Sequence, residues 1–102
     1  MEIDELALRV GVLGDDVAAV APALARSDPG PAAFAGDAPG RLGELGRALH
    51  GRYAGALTAR QREAAAAGAR LTDLAGALRT AAAGYRGVED EAHRRHQGSG
   101  AT

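Results

Sequence analysis

The apolar residues at the start of the chain recur in alternating steps of three and four residues. They are Ile3, Leu6, Val10, Leu13, Val17, Val20 and Leu24. This spacing is typical of an amphipathic helix with a heptad seam that packs against a second helix. Asp4 and Glu5 stand where the helix dipole favours negative charge, and Pro29 prevents the helix from continuing. The pattern predicts a first helix over about residues 4–26.

Residues 27–40 interrupt this pattern with three prolines and three glycines, which predicts a loop. Phe34, the one phenylalanine of the chain, lies in this loop, and Gly36 follows it two residues later. We interpret Phe34 as a ring that closes the end of the apolar core, because a glycine nearby allows the tight backbone that would bring it back onto the helices.

A second apolar stripe begins after Gly40 and predicts a helix over about residues 41–96, with a disordered tail at 98–102. The stripe contains Leu42, Leu45, Leu49, Tyr53, Leu57, Ala64, Ala67, Leu71, Leu74, Leu78, Ala81, Tyr85 and Val88. The predicted fold is an all-α antiparallel helical hairpin with coiled-coil-like packing, one domain over residues 1–97. We expect the glycines at 43, 46, 51 and 55 to face or flank the first helix.

The two predicted helices differ in length, about 35 Å against about 80 Å at 1.5 Å per residue. An antiparallel first helix would therefore reach only to about residue 65 of the second, and would leave an apolar partner interface uncovered. That interface contains Leu71, Leu74, Leu78 and Val88. Either the second helix breaks near Gly68, or another chain covers the stripe. Because no other turn-forming residue occurs nearby, we favour a homodimer or a heterodimer with another helical hairpin.

Composition agrees with long helices and excludes several functions. Hydrophobic residues make up 46% of the chain, many of them alanine, and aromatic residues only 3%. The net charge of −1 and the scattered arginines indicate no nucleic-acid partner. We expect no membrane span, because no apolar run is long enough, and no cleavable signal peptide, because the first residues are acidic. All twelve lysine or arginine residues are arginine, which suggests a G+C-rich host.

The residues that could carry chemistry give no pattern typical of an enzyme. His93 and His96 follow Glu89 at helical spacing, which could be read as a metal site, but a solvated helix end explains them as well. There is no cysteine, nucleophile elbow or phosphate loop. We therefore expect no catalytic residue, no metal and no cofactor.

Tyr85 and Glu89 are four residues apart, so they share one face of the second helix. With Phe34-Ala35-Gly36 in the loop, they complete a pattern that resembles the EspC-like ESX secretion-associated proteins. These are relatives of the Trp-x-Gly (WXG) helical hairpins that type VII secretion exports. The resemblance covers nearly the whole chain, with Phe34 in place of the tryptophan of the bend motif.

The resemblance implies that Tyr85 and Glu89 form an export signal and that Phe34 and Gly36 form the bend between the helices. It further implies a protein secreted or displayed at the cell surface by the type VII machinery, with a cytoplasmic pool before export. A non-secreted helical adaptor for a larger, toxin-like protein is the alternative, with the apolar stripe as its docking face.

Overall fold

A computed structural model describes the backbone of residues 2–100 and the side chains of residues 2–98. Its elements are α1 (Ile3–Ala18), α2 (Val20–Arg26), a 3₁₀-helical turn (Pro31–Phe34) and α3 (Gly40–Gly100). Among these residues there is no strand, so the predicted all-helical class is confirmed, with a short bent helical arm and one long helix. The molecule measures 94 × 14 × 14 Å.

The short arm is two helices where the sequence pattern predicted one helix over residues 4–26. α1 and α2 are separated at Ala19, whose N–H still donates to the carbonyl of Asp15 at 3.0 Å. Pro22 explains the break, because it offers no N–H to the carbonyl of Ala18 and its ring crowds that carbonyl. The heptad pattern continues across the proline, so periodicity alone did not reveal the bend.

The long helix α3 passes through Gly68 without a break. It also includes Gly98 and continues to Gly100, whereas the sequence predicted a disordered tail over 98–102. Glycine lowers helix stability by about 1 kcal/mol but does not block helical dihedral angles, which explains how the helix continues. Residues 101 and 102 lie outside the described part of the chain.

The helix α1 lies along residues 68–86 of α3, which corrects the predicted register. A Cβ atom built at Gly14 would lie 3.1 Å from the Cβ of Leu71, and one built at Gly11 would lie 3.7 Å from the Cβ of Ala75. At the N-terminus, Asp4 forms an ion pair with Arg86. The expectation that the first helix reaches only to about residue 65 was therefore wrong.

The loop causes this shift because it does not form a tight turn. It lies along the start of α3, and the arm contacts α3 only beyond the loop. The ring of Phe34 packs on α3 at 5.5 Å from the ring of Tyr53. The carbonyl of Gly36 accepts a hydrogen bond of 2.8 Å from Arg47 Nη1. The loop thus occupies about four turns of α3, or roughly 20 Å, and the arm is displaced by that length.

The most buried residues between the arm and α3 are small. Ala7, Ala75 and Ala82 are only 1%, 1% and 4% exposed. Gly68 lies so close to the arm that an added Cβ would be 2.8 Å from the Cβ of Ala18. The backbones therefore approach closely, and the larger apolar side chains are at most half-buried, as at Val10, Leu71 and Leu78.

The four glycines at the start of α3 do not face the arm as expected. An added Cβ at Gly43 or Gly46 would overlap the loop backbone, at the carbonyls of Ala38 and Phe34 respectively. At Gly51 and Gly55 an added Cβ would meet nothing within 4 Å. The first pair allows the loop to pack on α3, and the second pair faces open space.

Candidate recognition site

The residues of the predicted export signal lie at the end of the hairpin where α1 begins. Tyr85 is 60% exposed, and Glu89 is exposed one turn further along α3. Both border a cleft of about 350 Å³. The other residues of this cleft are Glu2, Ile3, Asp4, Ala82 and Arg86. The cleft therefore combines one face of α3 with the first turn of α1.

An ion pair joins the two walls of this cleft. Arg86 Nη1 donates a hydrogen bond to Asp4 Oδ2, and both side chains remain about half exposed. Asp4 balances the positive charge of Arg86. The carboxylates of Glu2 and Glu89 therefore give the cleft a net negative charge. The wall also offers apolar contacts at Ile3, Ala82 and the Tyr85 ring. Such a cleft can accept an aromatic or aliphatic side chain next to a basic group.

The predicted partner interface is partly covered by α1. Leu71 and Leu78 are half-buried, whereas Leu74 and Val88 are exposed. The expectation that all four are uncovered was wrong, because it followed from the mistaken register. The exposed pair still belongs to a longer run of large apolar side chains on α3.

The predicted bend motif lies in the loop, on α3 and away from the cleft. Phe34 is half-buried between His50 and Tyr53, with ring centroids at 5.9 Å and 5.5 Å. Gly36 is buried, and an added Cβ would lie 2.8 Å from the carbonyl oxygen of Pro31. These residues hold the loop against α3, and therefore determine where the arm starts along it.

A second polar contact fixes the loop to α3. Asp28 Oδ1 accepts a hydrogen bond from the N–H of Gly30 and lies 2.9 Å from His50 Nε2. The N–H of Gly30, followed by the His50 ring, holds the pKa of Asp28 below its usual value of 3.8. The sequence pattern did not indicate this contact, since the two side chains are far apart in the chain and neither belongs to a motif.

This pKa shift predicts a small, acid-dependent loss of stability that Asp28→Asn removes. A carboxylate with a lowered folded-state pKa stabilises the fold above its unfolded pKa of about 4, and the stabilisation is lost as the pH falls through the folded-state pKa. Thermal unfolding followed by circular dichroism from roughly pH 6 to pH 2 should therefore show a steeper fall for the wild type than for Asp28→Asn. Asp37→Asn, in the same loop, is the matched control. Parallel curves for the wild type and Asp28→Asn would contradict the assignment.

The histidines near the end of α3 lie beyond the N-terminus of α1. The side chains of His93 and His96 are both exposed. Among the described side chains, no group of three or more histidine, aspartate or glutamate residues is placed to hold a metal ion. Glu91 forms an ion pair with Arg95 at 3.1 Å, one turn along the helix.

Within residues 2–100, no helix has a stretch long and apolar enough to cross a bilayer.

Comparison with known proteins finds no matching family model, no similar curated protein and no similar solved structure.

Proposed function

We propose that this chain is a type VII (ESX) secretion substrate or secretion-associated protein that acts through protein–protein interaction. Its recognition signal would be Tyr85 and Glu89. The observation that supports this proposal most directly is that both residues are exposed and border one cleft with the first turn of α1. The order of the motifs along the chain supports it as well.

The position of the cleft suggests how a secretion component would recognise the protein. A partner side chain could stack on the exposed ring of Tyr85 while a basic group pairs with Glu89. The same partner would contact Ile3 and Asp4, which reach the cleft only when α1 lies along α3. Recognition would thus select the folded hairpin over an isolated α3.

The remaining parts of the proposal concern packing, partners and location. The arm and α3 would pack in the manner of an antiparallel coiled coil, and the molecule would pair with another helical hairpin, either a second copy or a different chain. It would act without catalytic residues or a cofactor. A cytoplasmic pool would precede export to the medium or the cell surface.

Export from a host with an active type VII system tests this function. The amount of the chain in the culture filtrate relative to the cell pellet should be high, and should fall at least tenfold when the secretion ATPase is inactivated. A cytosolic marker protein in both fractions controls for lysis. Equal filtrate levels with and without the ATPase would contradict the proposal.

An alternative function is a non-secreted helical adaptor, and the exposed apolar side chains of α3 favour it as the second candidate. Leu74 and Val88 would then contribute to a docking face for a larger protein. Purification from the native host separates the two functions. A stoichiometric large partner retained in the cytosol supports the adaptor, whereas recovery of the chain mainly from the filtrate supports secretion.

A further inference from the structure

Arg86 lies between the two residues of the proposed recognition signal, directly after Tyr85 and three residues before Glu89. Side chains three residues apart are neighbours on the surface of a helix, and opposite charges at this spacing attract each other. An ion pair between Arg86 and Glu89 would occupy the carboxylate that a basic group of a partner needs. The position of the Arg86 side chain therefore determines whether this carboxylate is available.

The same helix shows that arginine and glutamate at this spacing do form an ion pair. Arg60 precedes Glu63 by three residues, in the same order along α3, and its Nη1 lies 2.9 Å from Glu63 Oε2. Both of these side chains are exposed, as are those of Arg86 and Glu89. The local structure of the helix therefore allows Arg86 to pair with Glu89.

Arg86 instead pairs with Asp4, across the gap between α3 and α1. Asp4 lies in the first turn of α1, where the helix dipole favours its negative charge. Its carboxylate takes the place for Arg86 that Glu63 takes for Arg60. Glu89 forms no ion pair with any side chain among residues 2–98. The contact between the helices thus leaves the Glu89 carboxylate without a cation.

We propose that Asp4 is a positioning residue of the recognition site, which holds Arg86 away from Glu89 and so keeps the Glu89 carboxylate free for a basic group of the secretion partner. The inference rests on the proposed function and adds to it a role for a residue from the start of the chain. Without the Asp4 carboxylate, Arg86 pairs with Glu89 as Arg60 pairs with Glu63. The cleft also becomes less negative, which weakens its attraction for a basic group.

The size of the expected effect follows from the exposure of these ion pairs to water. An exposed ion pair changes an equilibrium by up to about fivefold, and the side chains of Arg86 and Asp4 are both about half exposed. The same exposure predicts that Asp4→Asn leaves the hairpin folded. The buried residues between α1 and α3, such as Ala7 and Ala82, are unchanged in this variant.

A suppressor experiment separates this role from simple support of the fold. Asp4→Asn should lower the filtrate-to-pellet ratio by about two- to fivefold, with unchanged helical circular dichroism. Adding Arg86→Gln to Asp4→Asn should restore the ratio of the wild type. Removal of the guanidinium frees Glu89 and returns the net charge of the cleft to its wild-type value, although the second change removes another charged side chain.

Glu5→Gln is the matched control for Asp4→Asn. Glu5 also lies in the first turn of α1, but it pairs with Arg9 of the same helix at 3.0 Å and does not line the cleft. Its replacement should leave export at the wild-type level. Unchanged export of Asp4→Asn would overturn the proposal. A double variant exported no better than Asp4→Asn would also overturn it, because Asp4 would then support the fold or contact the partner itself.

Nuclear magnetic resonance of the purified chain locates the Arg86 side chain independently of export. In the wild type, the side-chain protons of Arg86 should show contacts with Asp4 and none with Glu89. In Asp4→Asn these contacts should move to Glu89. A released Arg86 that contacts Glu2 or Asp90 instead, or no carboxylate at all, would overturn the proposal. A wild type that is not exported would refute the proposed function, whereas this measurement still decides where Arg86 pairs.

Discussion

Replacing Gly46 with alanine is expected to lower the free energy of unfolding by roughly 2 kcal/mol, although alanine is the better helix former. An added Cβ would overlap the carbonyl oxygen of Phe34 and lie 2.8 Å from the amide nitrogen of Gly36. Both obstacles are backbone atoms, so no side-chain rotation relieves them. The loop must move away from α3, and Phe34 then loses its ring contacts.

Gly51→Ala is the matched control for this prediction. Gly51 lies one and a half turns further along α3, and an added Cβ there meets nothing within 4 Å. Its replacement should stabilise the chain by up to about 1 kcal/mol through helix propensity alone. Urea unfolding of both variants at one protein concentration, followed at 222 nm, compares them. A stabilised Gly46→Ala variant would contradict the packing of the loop on α3.

The fold class could be predicted from the sequence because the apolar spacing and the Pro/Gly-rich loop are local signals. The register of the arm on α3 could not be predicted, because the sequence does not show that the loop takes up part of the length of α3. In fact Phe34 and Gly36 lie along α3, and this contact depends on the small residues at Gly43 and Gly46. The bend at Ala19 did have a signal in the sequence, the proline at position 22.

The candidate site was predictable only in part for the same reason. The four-residue spacing is enough to place Tyr85 and Glu89 on one face of a helix. Their neighbours Ile3 and Asp4 come from the opposite end of the chain, so their presence depends on the register. The ion pair between Asp4 and Arg86 has no local signal for the same reason.

Replacing Tyr85 with alanine is expected to reduce export at least tenfold while the hairpin remains folded. The side chain is largely exposed, so its removal costs little packing, but it takes away the one aromatic surface of the cleft. Leu45→Ala is the matched control, because Leu45 is equally exposed at 60%, lies on the same helix and is remote from the cleft.

The filtrate-to-pellet ratio of Tyr85→Ala, measured beside that of Leu45→Ala in a host with an active type VII system, tests the central claim most directly. Both variants should keep the helical circular dichroism of the wild type. The account predicts that Tyr85→Ala stays in the pellet, and that Leu45→Ala reaches the filtrate within about twofold of the wild type. Unchanged export of Tyr85→Ala, or an equal loss in both variants, would contradict recognition through Tyr85.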